Sequence, residues 1–141
     1  MVAAPTNIRF PEPEDRRLAE YARRTKSKKS TVVVVALREW LLMQDHPGVV
    51  FVTTTTGERR PALATGPQVW TVAEAWQQHE GAERTPANVA DAVGLSVHDI
   101  ETALAYWAEN REEIDEQIAR HQAEQDEALA AWERRRALDD I

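Results

Sequence analysis

The stretch KSKKSTVVVVALREW, Lys26–Trp40, sets three lysines and two serines directly before four consecutive valines. β-Branched residues favour strands, so local propensity alone makes the valines a strand. The spacing says otherwise. Val33, Ala36, Leu37, Trp40 and Leu41 recur at helical intervals, and period-two alternation fails after Leu37. The pattern predicts a helix from about Thr31 to Met43. Ser30 is its expected N-cap, the hydroxyl accepting a bond from a free backbone N–H two or three residues on. Val32, Val34 and Val35 widen the apolar face until it covers most of the first turns. Such a helix has to be buried on nearly all sides.

Upstream, Asn7-Ile8-Arg9-Phe10 alternates polar and apolar residues and predicts a short strand. Ile8 and Phe10 would face inward, and Pro5, Asn7 and Arg9 outward. Pro11 and Pro13 end that strand and suit the first turn of a helix. From Glu14 onward Leu18, Tyr21, Ala22 and Thr25 share one helical face. A strand and two helices this short bury too little surface to cover the valine helix alone. A second copy supplies the cover and pairs the lone strand as an antiparallel ribbon. The expected dimer core is Ile8, Phe10, Val33, Leu37 and Trp40.

Strand, helix, basic turn, then serine before an apolar helix resembles the ribbon-helix-helix DNA-binding fold of the Arc, MetJ and CopG kind. The likeness covers Thr6 to Met43 and rests on NIRFP, the Leu18–Ala22 face and STVVVVALREWL. That family usually has glycine between its helices. Here the turn is Thr25-Lys26-Ser27-Lys28-Lys29, so a non-glycine residue adopts the left-handed conformation or the turn is built differently. The resemblance implies paired strands in the major groove of double-stranded operator DNA. Asn7 and Arg9 would then read bases. The N–H groups of Lys29, Ser30 and Thr31 would hold a phosphate, and Lys26, Lys28 and Lys29 would add charge. The alternative is an edge strand and a solvated turn in a dimerisation module.

His46-Pro47-Gly48 marks a boundary. Val49–Val52 predicts a strand, Thr53–Gly57 a turn, and Arg59–Ala64 a returning strand that Pro61 confines to an edge. Val69–Trp76 has the spacing of an amphipathic helix. Thr85-Pro86 opens another helix, with Val89, Ala90 and Val93 on its apolar face and Gly94 closing it. Ser96 and Asp99 resemble a capping box, followed by a buried face of Ile100, Ala103, Leu104 and Trp107. The pair has the shape of a helix-turn-helix. Its second helix exposes Val97, His98, Asp99, Glu101 and Thr102, two carboxylates and no lysine or arginine, which suits structure or protein binding better than DNA. HPGVVFV, GERRPALATGPQVWTV and GLSVHDIETALAYWAENREEI together resemble a small winged-helix-like domain of unknown function, found in VapB-type antitoxins that are often paired with PIN-like toxins.

Residues 109–141 contain no glycine or proline and predict a long helix. Its apolar positions, Ile114, Ile118, Leu129, Trp132 and Leu138, are too sparse to stabilise it alone. It could pack back on the middle segment, pair with a twofold mate or fold against another protein. Trp132-Glu133-Arg134-Arg135-Arg136 has the composition of an interface anchor, although arginines near a helix C-terminus also complement the macrodipole. If the partner is a PIN-like nuclease, its metal-binding carboxylates would attract such an arginine.

Charge supports a division of labour. Residues 1–47 carry a net +3, residues 48–108 a net −4 and residues 109–141 a net −6, within an overall −7. A basic head on an acidic body suggests two partners, one of them a polyanion, or else a solvated charge pattern with no partner. There is no cysteine, hence no disulfide, thiolate metal site or thiol nucleophile. MVAAPTNIRF shows no secretory signal, and the longest apolar run is too short for a membrane span. His46, His79, His98 and His121 have no metal-ligand spacing, and no nucleophile constellation or phosphate-binding glycine loop is present.

The expectation is therefore a mostly α, cytoplasmic, non-enzymatic protein without cofactor, metal or membrane partner. Residues 1–45 form a ribbon-helix-helix dimer, 46–108 a helix-turn-helix-like domain with a short β-hairpin, and 109–141 a helical arm. Its expected role is an antitoxin that represses its own operon and neutralises a cognate toxin through Trp132, Arg134, Arg135 and Arg136. A stand-alone regulator whose acidic half only oligomerises is the second candidate, and a purely structural interaction module the third.

Overall fold

A computed structural model describes residues 3–141. Among them the chain forms α1 (Glu12–Arg24), α2 (Lys29–Asp45), β1 (Val49–Thr53), β2 (Arg59–Leu63), α3 (Val69–Gln78), α4 (Pro86–Val93), α5 (Val97–Glu109) and α6 (Arg111–Asp139), with a short 3-10 turn at Gly81–Glu83. The chain is thus mostly helical, with one small antiparallel sheet. It divides into two compact units, one ending at Leu42 and one running from Met43 to Ile141.

In the first unit, Pro11 precedes α1 and Pro13 sits in its first turn, where a missing N–H does no harm. Glu12, Glu14 and Asp15 crowd the first turn and Arg23 and Arg24 the last, each matching the helix dipole. Ala22 is buried and Leu18 partly so. The helix ends in a Schellman turn: the Ser27 N–H donates to Ala22 O at 2.8 Å and the Lys26 N–H to Arg23 O at 3.2 Å. Lys26 takes the left-handed position with φ 55°, the place glycine usually fills. So a lysine does enter the conformation that the glycine-free turn required.

The helix that the valine spacing predicts is present, but Ser30 is not its cap. The first intrahelical bond runs from Val32 N–H to Lys28 O at 3.1 Å, which puts Lys28 at the boundary and Ser30 inside the first turn. The strand expected at Asn7–Phe10 is not formed: residues 3–11 have no regular secondary structure in the single chain. A strand exists only against a hydrogen-bonding neighbour, and one copy offers these residues none. Ile8 and Phe10, expected to face inward, are accordingly exposed.

In the second unit, β1 and β2 pair with Phe51 opposite Pro61. In a two-stranded sheet both strands are edges, so Pro61 withholds no needed donor. The expected turn loses Thr53 to β1 and the returning strand stops at Leu63, one residue early. Gly48 holds φ 99°, and a Cβ there would lie 3.3 Å from Thr102 Cγ2, so its bareness lets the hairpin approach α5 closely.

Thr85 caps α4 by accepting from the Asn88 N–H at 3.1 Å, and Ser96 caps α5 from the Asp99 N–H at 3.1 Å. Gly94 closes α4 in the left-handed region, and α5 begins three residues on at Val97. The core joins Val49, Ala62 and Leu63 of the hairpin with Val69, Val72 and Ala73 of α3. To these are added Val89 and Ala90 of α4, Ile100, Ala103 and Trp107 of α5, and Ile114 and Ile118 of α6. Leu104 is only half-buried. Tyr106, which the apolar spacing omitted, is fully buried instead.

The chain breaks at Asn110 between α5 and α6, and the first turns of α6 belong to the core through Ile114, Gln117 and Ile118. Beyond His121 the side chains are largely exposed.

Candidate nucleic-acid interface and helical arm

The basic turn brings five expected contact residues together. Because the first helical bond is donated by Val32, the N–H groups of Lys29, Ser30 and Thr31 are the open donors of α2. They are the three named for a phosphate. Lys26 and Lys28 form no ion pair among the described residues. Lys29 does, with Nζ 3.2 Å from Asp15 Oδ1, both side chains about half exposed. That carboxylate, in the first turn of α1, was not foreseen. No spacing rule links positions fourteen residues apart across a turn.

Asn7 and Arg9 lie in the exposed segment before α1. Among the described residues neither side chain takes a hydrogen bond or ion pair. The proposed dimer residues are exposed as well. Leu37 and Trp40 are more than half exposed and Val33 is partly covered, and no residue of α2 is buried. Val34 and Leu41 extend this bare apolar face. Beside α1, an open groove of about 440 Å³ is lined by Leu18, Tyr21 and Val32 with charged neighbours Glu14, Arg17, Glu20 and Arg24.

On the arm, Trp132 is about half exposed, and the Arg136 guanidinium lies 5.2 Å from its ring centroid in a cation–π contact. Arg134 and Arg135 are exposed and take no hydrogen bond or ion pair among the described residues. Where α6 leaves the core it is held twice. Arg120 Nη1 donates to Glu58 Oε1 at 2.6 Å, and the His121 ring lies 4.4 Å from that of Trp70. The Arg120 and Arg60 guanidiniums hold the Glu58 carboxyl below its ordinary range.

The interior of the second unit also carries polar groups that periodicity cannot show. Tyr106 Oη donates to Glu113 at 3.2 Å, and burial pushes the Glu113 carboxyl above its ordinary range. Trp107 Nε1 donates to Asp115 at 2.8 Å. His46, only 6 % exposed, has Nε2 2.9 Å from Glu109 Oε2, and no hydrogen-bond partner for that nitrogen is found among the described residues. Its ring meets Tyr106 edge-on at 5.0 Å.

Comparison with family models, curated proteins and solved structures finds no match to this chain. Among the described residues no helix is long and apolar enough to cross a membrane.

Proposed function

We propose that this chain is an antitoxin: a twofold pair of its first units binds operator DNA, and its acidic second unit, with the α6 arm, neutralises a cognate toxin, PIN-like in kind. The observation that carries the DNA half is α2. A helix whose Val34, Leu37, Trp40 and Leu41 are about half exposed, with no residue buried, is incomplete in water without a partner. A mate across that face brings the two Asn7–Phe10 segments side by side, so that they pair as strands. Outward Asn7 suits adenine and Arg9 suits guanine. The open N–H groups at Lys29, Ser30 and Thr31, beside Lys26 and Lys28, suit the flanking phosphates.

Support for the toxin half is compositional. Trp132 is about half exposed on α6 with the Arg136 guanidinium over its ring, and a guanidinium matches a carboxylate-lined metal site. The α4–α5 pair adds no second DNA site, since Asp99 and Glu101 on α5 would face phosphates. The stand-alone regulator remains the second reading. A pulldown of the chain with its neighbouring gene products, followed by a gel shift on the DNA upstream of its reading frame, separates the two. Co-purification of a neighbour supports the antitoxin, and a shift without one supports the regulator. Arg9→Ala is expected to relax sequence preference, and Lys28→Ala to weaken binding to all DNA and flatten its salt dependence.

A further inference from the structure

We propose that Asp15 is an electrostatic governor of DNA affinity: by holding Lys29 it withdraws one cation from the phosphate site at the start of α2. The inference rests on the DNA-binding reading above and assigns a role to a residue that the reading leaves idle. Lys29 supplies one of the three open N–H groups of α2, yet its ammonium lies 3.2 Å from the Asp15 carboxylate. Lys26 and Lys28, on the same turn, have no carboxylate against them among the described residues. The other acidic side chains of the α1 first turn are placed differently: Glu12 pairs with Arg16 on its own helix, and Glu14 lines the groove beside α1. Among the described acidic side chains of that turn, Asp15 is the one paired with a residue of α2.

Two consequences have the same sign. A phosphate approaching the Lys29 N–H meets a cation already neutralised, and it meets a carboxylate within a side chain's length. Because phosphate contacts carry no sequence information, Asp15 lowers affinity for all DNA alike. It thereby leaves the base contacts of Asn7 and Arg9 a larger share of the total. The grip on every duplex is loosened, and the ratio of specific to bulk affinity is unchanged. Both partners are half exposed, so the pair contributes little to stability and can open when DNA arrives.

The test uses the full chain and two fluorescein-labelled duplexes: the DNA upstream of its reading frame, and a scrambled sequence of equal length. Fluorescence anisotropy is followed as salt is raised. Asp15→Asn is expected to tighten binding to both duplexes several-fold at low salt and to steepen the salt dependence by about two released cations per bound pair, one from each copy. Its advantage then shrinks roughly tenfold between about 50 and 200 mM salt. Asp15→Glu, which keeps the charge, is expected to behave as the wild type. Lys29→Ala is expected to weaken wild-type binding less than it weakens Asp15→Asn, a coupling that a merely structural role for Asp15 would not produce. Unchanged affinity and slope in Asp15→Asn, with the wild type binding DNA, overturns the governor. A wild type that binds neither duplex overturns the DNA-binding reading itself, and the governor with it.

Discussion

Replacing Trp40 by alanine tests the dimer on which the DNA-binding proposal stands. Trp40 is 57 % exposed in the single chain, the barest of the large hydrophobic residues on α2. Full burial of a tryptophan removes roughly 250 Å² from water, so a mate covering the exposed fraction hides roughly 140 Å² more per copy. At about 25 cal/mol per Å² this is about 3.5 kcal/mol per copy and about 7 kcal/mol per dimer. Association and side-chain ordering take part of that gain. If half survives, the dissociation constant of Trp40→Ala rises about 300-fold. Sedimentation equilibrium of both proteins, from nanomolar to micromolar concentration, reads the change directly. Because Trp40 lies in the first unit and is open in one copy, the thermal melt of the second unit should not move. A wild type that stays monomeric at micromolar concentration refutes the reasoning, as does a variant that associates as tightly.

Other outcomes follow from single contacts. Lys26→Gly should raise stability by about 0.5–1 kcal/mol in urea denaturation, since the left-handed position strains lysine by roughly 1–2 kcal/mol and glycine's freedom when unfolded takes back part of the difference. Ile114→Ala should destabilise the second unit by about 2–5 kcal/mol, because the side chain is fully buried. Leu129→Ala on the same helix should stay within about 0.5 kcal/mol for the chain alone, and a larger loss would mean that the distal arm packs on something. The Glu113 carboxyl is raised by burial, so its contribution to stability is fully present below its unfolded pKa and is lost as pH rises through its folded value. Glu113→Gln keeps an acceptor for Tyr106 without the charge. Its stability should therefore fall less than the wild type's between acid and neutral pH, and parallel curves would remove Glu113 from the account.

What the sequence reveals and hides follows from the range of each force. Helix spacing depends on neighbours three and four residues apart, so α2 was legible through its valines, and α4 and α5 through Thr85, Gly94 and Ser96. Capping at α2 was misplaced because Ser30 is only one of several polar residues in a row, and the turn geometry chose Lys28. Tyr106 escaped because an apolar-face count ignores a phenol, whose hydroxyl reaches Glu113 a helix away. Asp15 with Lys29 and Glu58 with Arg120 join residues far apart in the chain, and charge has no period to betray them.

The Asn7–Phe10 segment differs in kind from these misses. Its alternation is that of a strand, yet the structure forms none there and Ile8 stays 63 % exposed. The same single chain leaves every residue of α2 unburied. Two independent patterns, one of period two and one of period 3.6, are both unsatisfied in one copy. The proposed twofold mate would satisfy both at once, by covering α2 and supplying an antiparallel neighbour. Either deficit alone could be an exposed helix or a frayed terminus. Their coincidence within one unit that ends at Leu42 is the reason to look for a second copy before any other partner for this part of the chain.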